Sequence, residues 1–553
     1  MADKKSKLLV PVVGTAVVVA AGVAAYTYFN GIHDATSPLA SAKVVPHEAL
    51  MAGFVSTDAK AWSKLQQFGT PETQSLIAKG IGEFNKKSFT KYNINYEKDL
   101  KPWLGSVTFA VLPSPTTQPA QHTPQSARSS NVLVVVGIKN KVSAYNFANK
   151  LKSQNKIKAK GTAYKGIEIL ESTERSRNTY LAVLDNQLVV SSERRPVELA
   201  IDTFKGQPSF ASKQGAAKLF SKGVDLKNPI AQLYLPDYGS VAQQLILNNP
   251  NAPALSAEAL NQLKNVSSMV MGVGVDDAGV RMQAIANINQ SAVKMEYKPT
   301  PGKVVAQFPA ETFALLGGQG ISRFWSAVVE QSQSDPATQQ TIDSARQQLK
   351  NSVNLDLDND ILGWMDGEFA LAAISSNQGF VPPLGFGAAL MLKTSDRPRA
   401  EATLNKLDAI AKGYSLTVAP RNVGGKLVTE WEIPLQGALL GHGWLDGETV
   451  FVAVGGRPIV DAIATQPSPS LDNSQTFKVV TGTLPKPNSG YFYLDMDKTM
   501  SLLNPYLLQT QNIPPEATAL LDSIRGIGMT TTAPDKSTSK VEMLLALKPK
   551  SAK

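Results

Sequence analysis

Cysteine is absent from the chain. That removes disulfides, thiolate metal sites, cysteine nucleophiles and acylated cysteines together. Histidine is scarce: His33, His47, His122 and His442 are scattered without metal-ligand spacing. No GxxxxGK[ST] phosphate loop occurs, and the nearest fragment, Gly424-Gly425-Lys426-Leu427, lacks the hydroxyl that meets magnesium. GxSxG elbows, HExxH helices and EF-hand loops are missing too. Gly272-Val273-Gly274 falls inside a strand pattern, not at a strand-to-helix turn, so it is no dinucleotide fingerprint. The sequence therefore carries no catalytic signature, and neither a metal nor a cofactor is expected.

Charge is present but uneven. A hydrophobic fraction of 43% with 18% charged residues describes a folded protein. Its length exceeds what a single core usually serves, which points to two domains. The run Leu8–Phe29 holds no charge and is long enough to cross about 30 Å of hydrocarbon as a helix. Lys4, Lys5 and Lys7 precede it, while Tyr26, Tyr28 and Phe29 mark its far end. The positive-inside bias then leaves residues 1–7 cytoplasmic, 8–29 as a single-pass anchor, 30–43 as a tether, and the body exported. A cleaved signal peptide with Val23-Ala24-Ala25 as its site is the competing reading, but the apolar run is longer than such segments usually are. Both readings export the body.

Matching segments recur in order at a nearly constant offset. Pro46 and Pro309 each precede an apolar strand, and helices carrying Trp62 and Trp325 follow. Asp99 to Trp103 and Asp360 to Trp364 each lead into a strand, and Asn149-Lys150-Leu151 parallels Asn405-Lys406-Leu407. An Asp-Asn or Asp-Gly hairpin signal at Asp185 and Asp446 is followed by a helix opening on Arg195-Pro196 or Arg457-Pro458. Closing hairpins turn at Asp276 to Gly279 and around Pro534-Asp535. The pattern predicts an α+β body of two tandem repeats, 44–303 and 304–549, each a mainly antiparallel mixed sheet with flanking helices. In the last strand of the first repeat, Met282, Ala284, Ala286 and Ile288 are expected on one face, against Arg281, Gln283 and Asn287 on the other. Val132–Ile138 is expected to be buried on both faces.

Between Asn131 and Ile230 stand 17 Lys or Arg against 8 Asp or Glu. Lys150, Lys152, Lys156, Lys158, Lys160 and Lys165 are the densest part and the candidate binding residues, a basic face for an acidic partner or anionic lipid. An ordinary solvated surface is the competing reading. Nucleic acid is not expected, since no binding motif accompanies the charge. Asp356, Asp358 and Asp360 alternate like cation ligands, but the loop lacks the glycine and terminal glutamate of a calcium loop. Helix N-capping by Asp360 and Asp99 is the preferred reading. His442 is expected to be structural, and the paired tryptophans Trp62, Trp103, Trp325 and Trp364 to be core anchors. Residues 113–130, rich in Pro, Thr, Gln and Ser, read as a surface loop.

The Lys-rich start, the apolar run, the segment from Ser37 to Gln74 (SPLASAKVVPHEALMAGFVSTDAKAWSKLQQFGTPETQ) and the hairpin–Arg-Pro–helix units resemble a cyanobacterial family of membrane-anchored proteins catalogued as a domain of unknown function. The resemblance implies a body in the periplasm or thylakoid lumen and brings no site residues with it. The expected function is a membrane-tethered extracytoplasmic binding or scaffold protein. A carrier of lipids or other hydrophobic ligands, or an undescribed hydrolase, are the alternatives.

Overall fold

A computed structural model describes residues 37–56, 59–76, 94–113, 131–153, 159–174, 177–247, 263–289, 297–333, 335–376, 385–510 and 515–550. The expected anchor at 8–29 lies outside these, as do His33, His122 and most of the 113–130 segment. Among the described residues no helix is long and apolar enough to cross a membrane. The chain divides into two compact units, Met1–Ile288 with Pro549–Lys553, and Asn289–Lys548.

Unit 1 contains β1 (Met51–Val55), β2 (Leu104–Val111), β3 (Val132–Ile138), β4 (Ala159–Tyr164), β5 (Ile167–Glu174), β6 (Arg177–Leu184), β7 (Gln187–Ser191), β8 (Pro229–Leu235), β9 (Val266–Val275) and β10 (Gly279–Ile288). Their order across the sheet is β4-β5-β6-β7-β3-β2-β1-β8-β9-β10. Every described pair is antiparallel, so the parallel component of a mixed sheet is not there. The reason is the path after β3: helix Lys141–Ser153 carries the chain to the sheet margin at β4. From there β5, β6 and β7 wind back until β7 meets β3 antiparallel.

Helices cover both faces. Helix Arg194–Phe204 seats Val197, Ala200 and Ile201 over Ile169, Ala182, Leu184 and Val189. On the opposite face, Ala144 and Phe147 of helix Lys141–Ser153 pack with Val134, Val136, Leu188 and Trp103. β3 is consequently buried along nearly all its length, as its unbroken apolar run predicts. Each large apolar side chain so enclosed contributes about 1.5–3 kcal/mol. β10 departs from expectation. Gln283, assigned to the polar face, is buried, while Met282, Ala284 and Ala286 are only half-buried.

Unit 2 contains β11 (Thr312–Gln319), β12 (Glu368–Ser375), β13 (Phe386–Lys393), β14 (Thr417–Val423), β15 (Lys426–Ile433), β16 (Gly437–Trp444), β17 (Thr449–Val454), β18 (Tyr491–Asp495), β19 (Ile524–Asp535) and β20 (Thr538–Leu547). Their order is β14-β15-β16-β17-β13-β12-β11-β18-β19-β20, again antiparallel throughout. Pro420 stands within β14, opposite Thr429. Helix Arg397–Gly413 packs Ala400 and Leu404 on Trp364, Leu392 and Val450. Arg457-Pro458 opens helix Arg457–Ala464 as its residue order predicts, and Val460 fits where Gly441 has no Cβ.

Candidate functional site

A short π-helical turn precedes the strand in each unit, at Tyr96–Leu100 and Leu357–Leu362. In unit 2 the cap is Asp356, whose carboxylate accepts from Asn359 N–H at 2.8 Å. Asp360 reaches back to accept from Asp356 N–H at 2.9 Å. Asn95 and Asp99 make the same reciprocal pair in unit 1, at 3.0 and 2.7 Å. The capping residues are therefore Asn95 and Asp356, not the aspartates four positions on. A carboxylate at the far position fills the cap's own N–H instead. Each second aspartate also holds a lysine, Lys150 Nζ on Asp99 at 2.6 Å and Lys406 Nζ on Asp360 at 2.7 Å. Each aspartate's carbonyl accepts an indole N–H, from Trp103 at 2.7 Å and Trp364 at 3.0 Å. Trp103 and Trp364 are buried anchors as expected.

The unit 2 turn also forms one wall of a cleft of about 570 Å³. Helices Ile321–Ser332 and Pro336–Val353 and the first turn of helix Arg397–Gly413 form the others. Asp358 faces into it. Its carboxylate is held by Arg346 through Nε at 2.7 Å and Nη2 at 3.0 Å, and it accepts the indole N–H of Trp325. The Arg346 hydrogen bond keeps Asp358 below the usual carboxylate range, against the opposing effect of burial and with help from Trp325. Trp325 is thus half-buried and lines a cleft, unlike the core anchor its pattern implied. Trp62 is half-buried as well, and donates to Ser56 O at 2.7 Å.

Two further arginines complete the cleft. Arg399 donates from Nη2 to Asn359 Oδ1 at 3.0 Å, and its guanidinium lies against Gly363. Arg323 folds over Gly320, where a Cβ would stand 2.5 Å from Nη2. Among the described residues no carboxylate pairs with Arg323 or Arg399, so two guanidinium groups border the cleft with capacity for planar anions. The chemistry offered is charge recognition. Asp358 has its oxygens occupied, and Ser326 donates to Ser322 O at 2.9 Å without a histidine base beside it.

The three alternating aspartates do not converge: one caps, one meets Arg346, one meets Lys406. Among the described residues no cluster of three or more His, Cys, Asp or Glu is arranged to hold a metal ion. His442 is buried in β16 and bonded through Nε2 to Asp408 at 2.8 Å. The same Asp408 oxygen accepts from Trp431 Nε1 at 2.6 Å. His47 is exposed at the start of the body.

The candidate lysines are dispersed. Lys150 is paired with Asp99, and Lys165 with Asp202 at 2.6 Å. Lys160 is exposed on β4. Lys156 and Lys158 lie outside the described residues, as does the side chain of Lys152. Nothing in the spacing of Arg323, Arg346 and Arg399 singled out the cleft. The one available signal was three arginines on consecutive helical segments around an aspartate-rich turn.

Antiparallel ten-stranded sheets covered by helices define an α+β protein. The sequence model of the family described as "Protein of unknown function (DUF3352)" matches residues 12–547, and the chain belongs to that family. No curated protein matches it. Among solved structures, crystal form I of TP0453 is 10% identical with a TM-score of 0.25, covering 47% of this chain and 80% of that one. Crystal form IV of TP0453 is 13% identical with a TM-score of 0.26, covering 45% and 80%.

Proposed function

We propose that the chain is a membrane-tethered extracytoplasmic binding or scaffold protein, made of two copies of one domain, that holds an acidic partner through the unit 2 cleft. The observation that carries this reading is the pair Arg323 and Arg399, which border the cleft without carboxylate partners among the described residues. Duplication is supported by the strand order, which repeats strand for strand in unit 2, and by the matched aspartate–lysine–tryptophan turns. In this reading the tether is the apolar run 8–29, and the resemblance of the sequence to a cyanobacterial family supports a body in the periplasm or thylakoid lumen. Two linked copies suit bridging between partners. A polar, arginine-bordered cleft suits a carboxylate-rich surface better than an acyl chain, which favours this reading over the carrier.

The test is fluorescence anisotropy of a tagged oligo-glutamate peptide, titrated against the full chain in mild detergent. Binding that weakens with salt and is lost in the double variant Arg323→Ala/Arg399→Ala supports the reading. Unchanged binding in that variant sinks it.

A further inference from the structure

Arg346 is the third guanidinium of the unit 2 cleft, and it faces a group already in place. Its Nε donates to Asp358 Oδ2 at 2.7 Å and its Nη2 to Asp358 Oδ1 at 3.0 Å. The Trp325 indole N–H donates to the same Oδ1. Three donors from two helices, Ile321–Ser332 and Pro336–Val353, thus converge on one carboxylate. A forked pair of this kind is how arginine recognises any planar carboxylate, whichever chain supplies it.

Two observations separate this pair from a structural one. Arg281 and Asp276 give the comparison: both side chains are 11% exposed, and the same aspartate fixes the closing turn of unit 1. Arg346 and Asp358 are 32% and 34% exposed and line an open cleft. Ion pairs this accessible to solvent are weak enough to exchange partners. Nor does the turn that carries Asp358 depend on its carboxylate. Leu357–Leu362 is closed by Asp356, which accepts from Asn359 N–H, and by Asp360, which accepts from Asp356 N–H. Asp358 can therefore rotate out while the turn stays capped. Arg346 keeps a tether when it does, because Nη1 donates to Asp343 on its own helix at 3.0 Å.

Charge gives the exchange a direction. Arg323, Arg346 and Arg399 line the cleft against Glu330 and Asp358. An anion held by Arg323 and Arg399 alone meets Asp358 as a like charge. One that takes the seat of Asp358 gains a forked pair instead.

We propose that Arg346 and Trp325 form a carboxylate seat in the unit 2 cleft, filled by Asp358 in the free protein and by a carboxylate of the acidic partner in the complex. The inference rests on the preceding reading of the cleft and adds Asp358 as the group that sets its threshold. A partner offering one carboxylate is met at Arg323 and Arg399 and repelled by Asp358. A partner offering several displaces Asp358 and engages all three arginines.

The test titrates the tagged oligo-glutamate peptide against the full chain in mild detergent, for the parent and three variants. Asp358→Ala empties the seat and is expected to bind at least about tenfold more tightly, the worth of one charge-assisted pair. Its binding should also fall more steeply with salt. Asp358→Asn, which keeps the volume of the side chain, should tighten binding as well, and thermal melts establish that each variant is folded. In Asp358→Ala/Arg346→Ala the gain is expected to vanish. A gain that persists there overturns the proposal, since it would come from lost negative charge in general and not from a seat on Arg346. Binding by the parent that tightens in neither folded single variant overturns this inference and leaves the cleft reading standing. Peptide that binds neither the parent nor any variant breaks the cleft reading, and this inference with it.

Discussion

Units 1 and 2 share a strand order, a capped π-turn with its lysine and tryptophan, and helices on both faces, yet they invest their side chains differently. Unit 2 closes the face under helix Arg397–Gly413 with Asp408, His442 and Trp431, and opens a cleft bordered by arginines beside Asp358. Unit 1 leaves Val183 exposed and Leu170 and Leu181 half-buried on the corresponding face. A framework is held constant while its surfaces diverge. What the two share is structural, and what separates them is surface chemistry.

The largest effect is expected where the units agree. Trp103→Ala and Trp364→Ala each remove a buried indole and should destabilise their own unit by about 3–5 kcal/mol. Urea unfolding of the two variants should give similar losses, and a large inequality would break the equivalence of the two turns. Where they differ, His442→Leu gives unit 2 the residue unit 1 carries at Leu181. Asp408 then loses one of its two partners, for about 1–3 kcal/mol, whereas Leu181→His should bring no compensating gain because no matching carboxylate is described there. A thermal-melt comparison of the two variants checks this.

Asp358→Asn sharpens the contrast through pH. The carboxylate's pKa is depressed in the folded state, so its stabilising contribution is present above the unfolded value of about 4 and is lost as pH falls through the folded value. The variant should be less stable than the parent at neutral pH and show a flatter acid limb below about pH 4. Parallel acid limbs would show that Arg346 does not hold Asp358 as described. The smallest change is Lys141→Met. It removes an ion pair to Asp185 in which both partners are more than half exposed, worth at most about 1 kcal/mol, and chemical denaturation should barely register it.

Much of the framework was legible because it is written in local chemistry. The Arg-Pro helix openings, the closing turn at Asp276 to Gly279 and the apolar run of β3 each depend on neighbours in sequence. The Asp276 carboxylate accepts from Ala278 and Gly279 N–H, which fixes that turn. Capping was placed on the wrong aspartates because both ends of a reciprocal cap are acidic or amide side chains. Only the geometry tells which one leads. The cleft was not legible. Trp325, Arg346, Asp358 and Arg399 come from separate segments, and no periodicity records their convergence. Gln283 was misplaced for a similar reason, since alternation predicts which residues share a face but not how deeply each face is covered.

Pro420 has a consequence beyond its own strand. β14 is the marginal strand of its sheet, and a proline there withholds one of the N–H groups that a stranger's backbone would need. The matching margin of unit 1, β4, has no proline and relies on Lys160 and on Gly161, over which Glu168 folds. Charged side chains deter edge-to-edge stacking less absolutely than a missing donor. Crowded together, copies of this chain would be guarded against fibril-like growth at the unit 2 margin by covalent structure and at the unit 1 margin by electrostatics. Concentrated salt should therefore release self-association through unit 1 first.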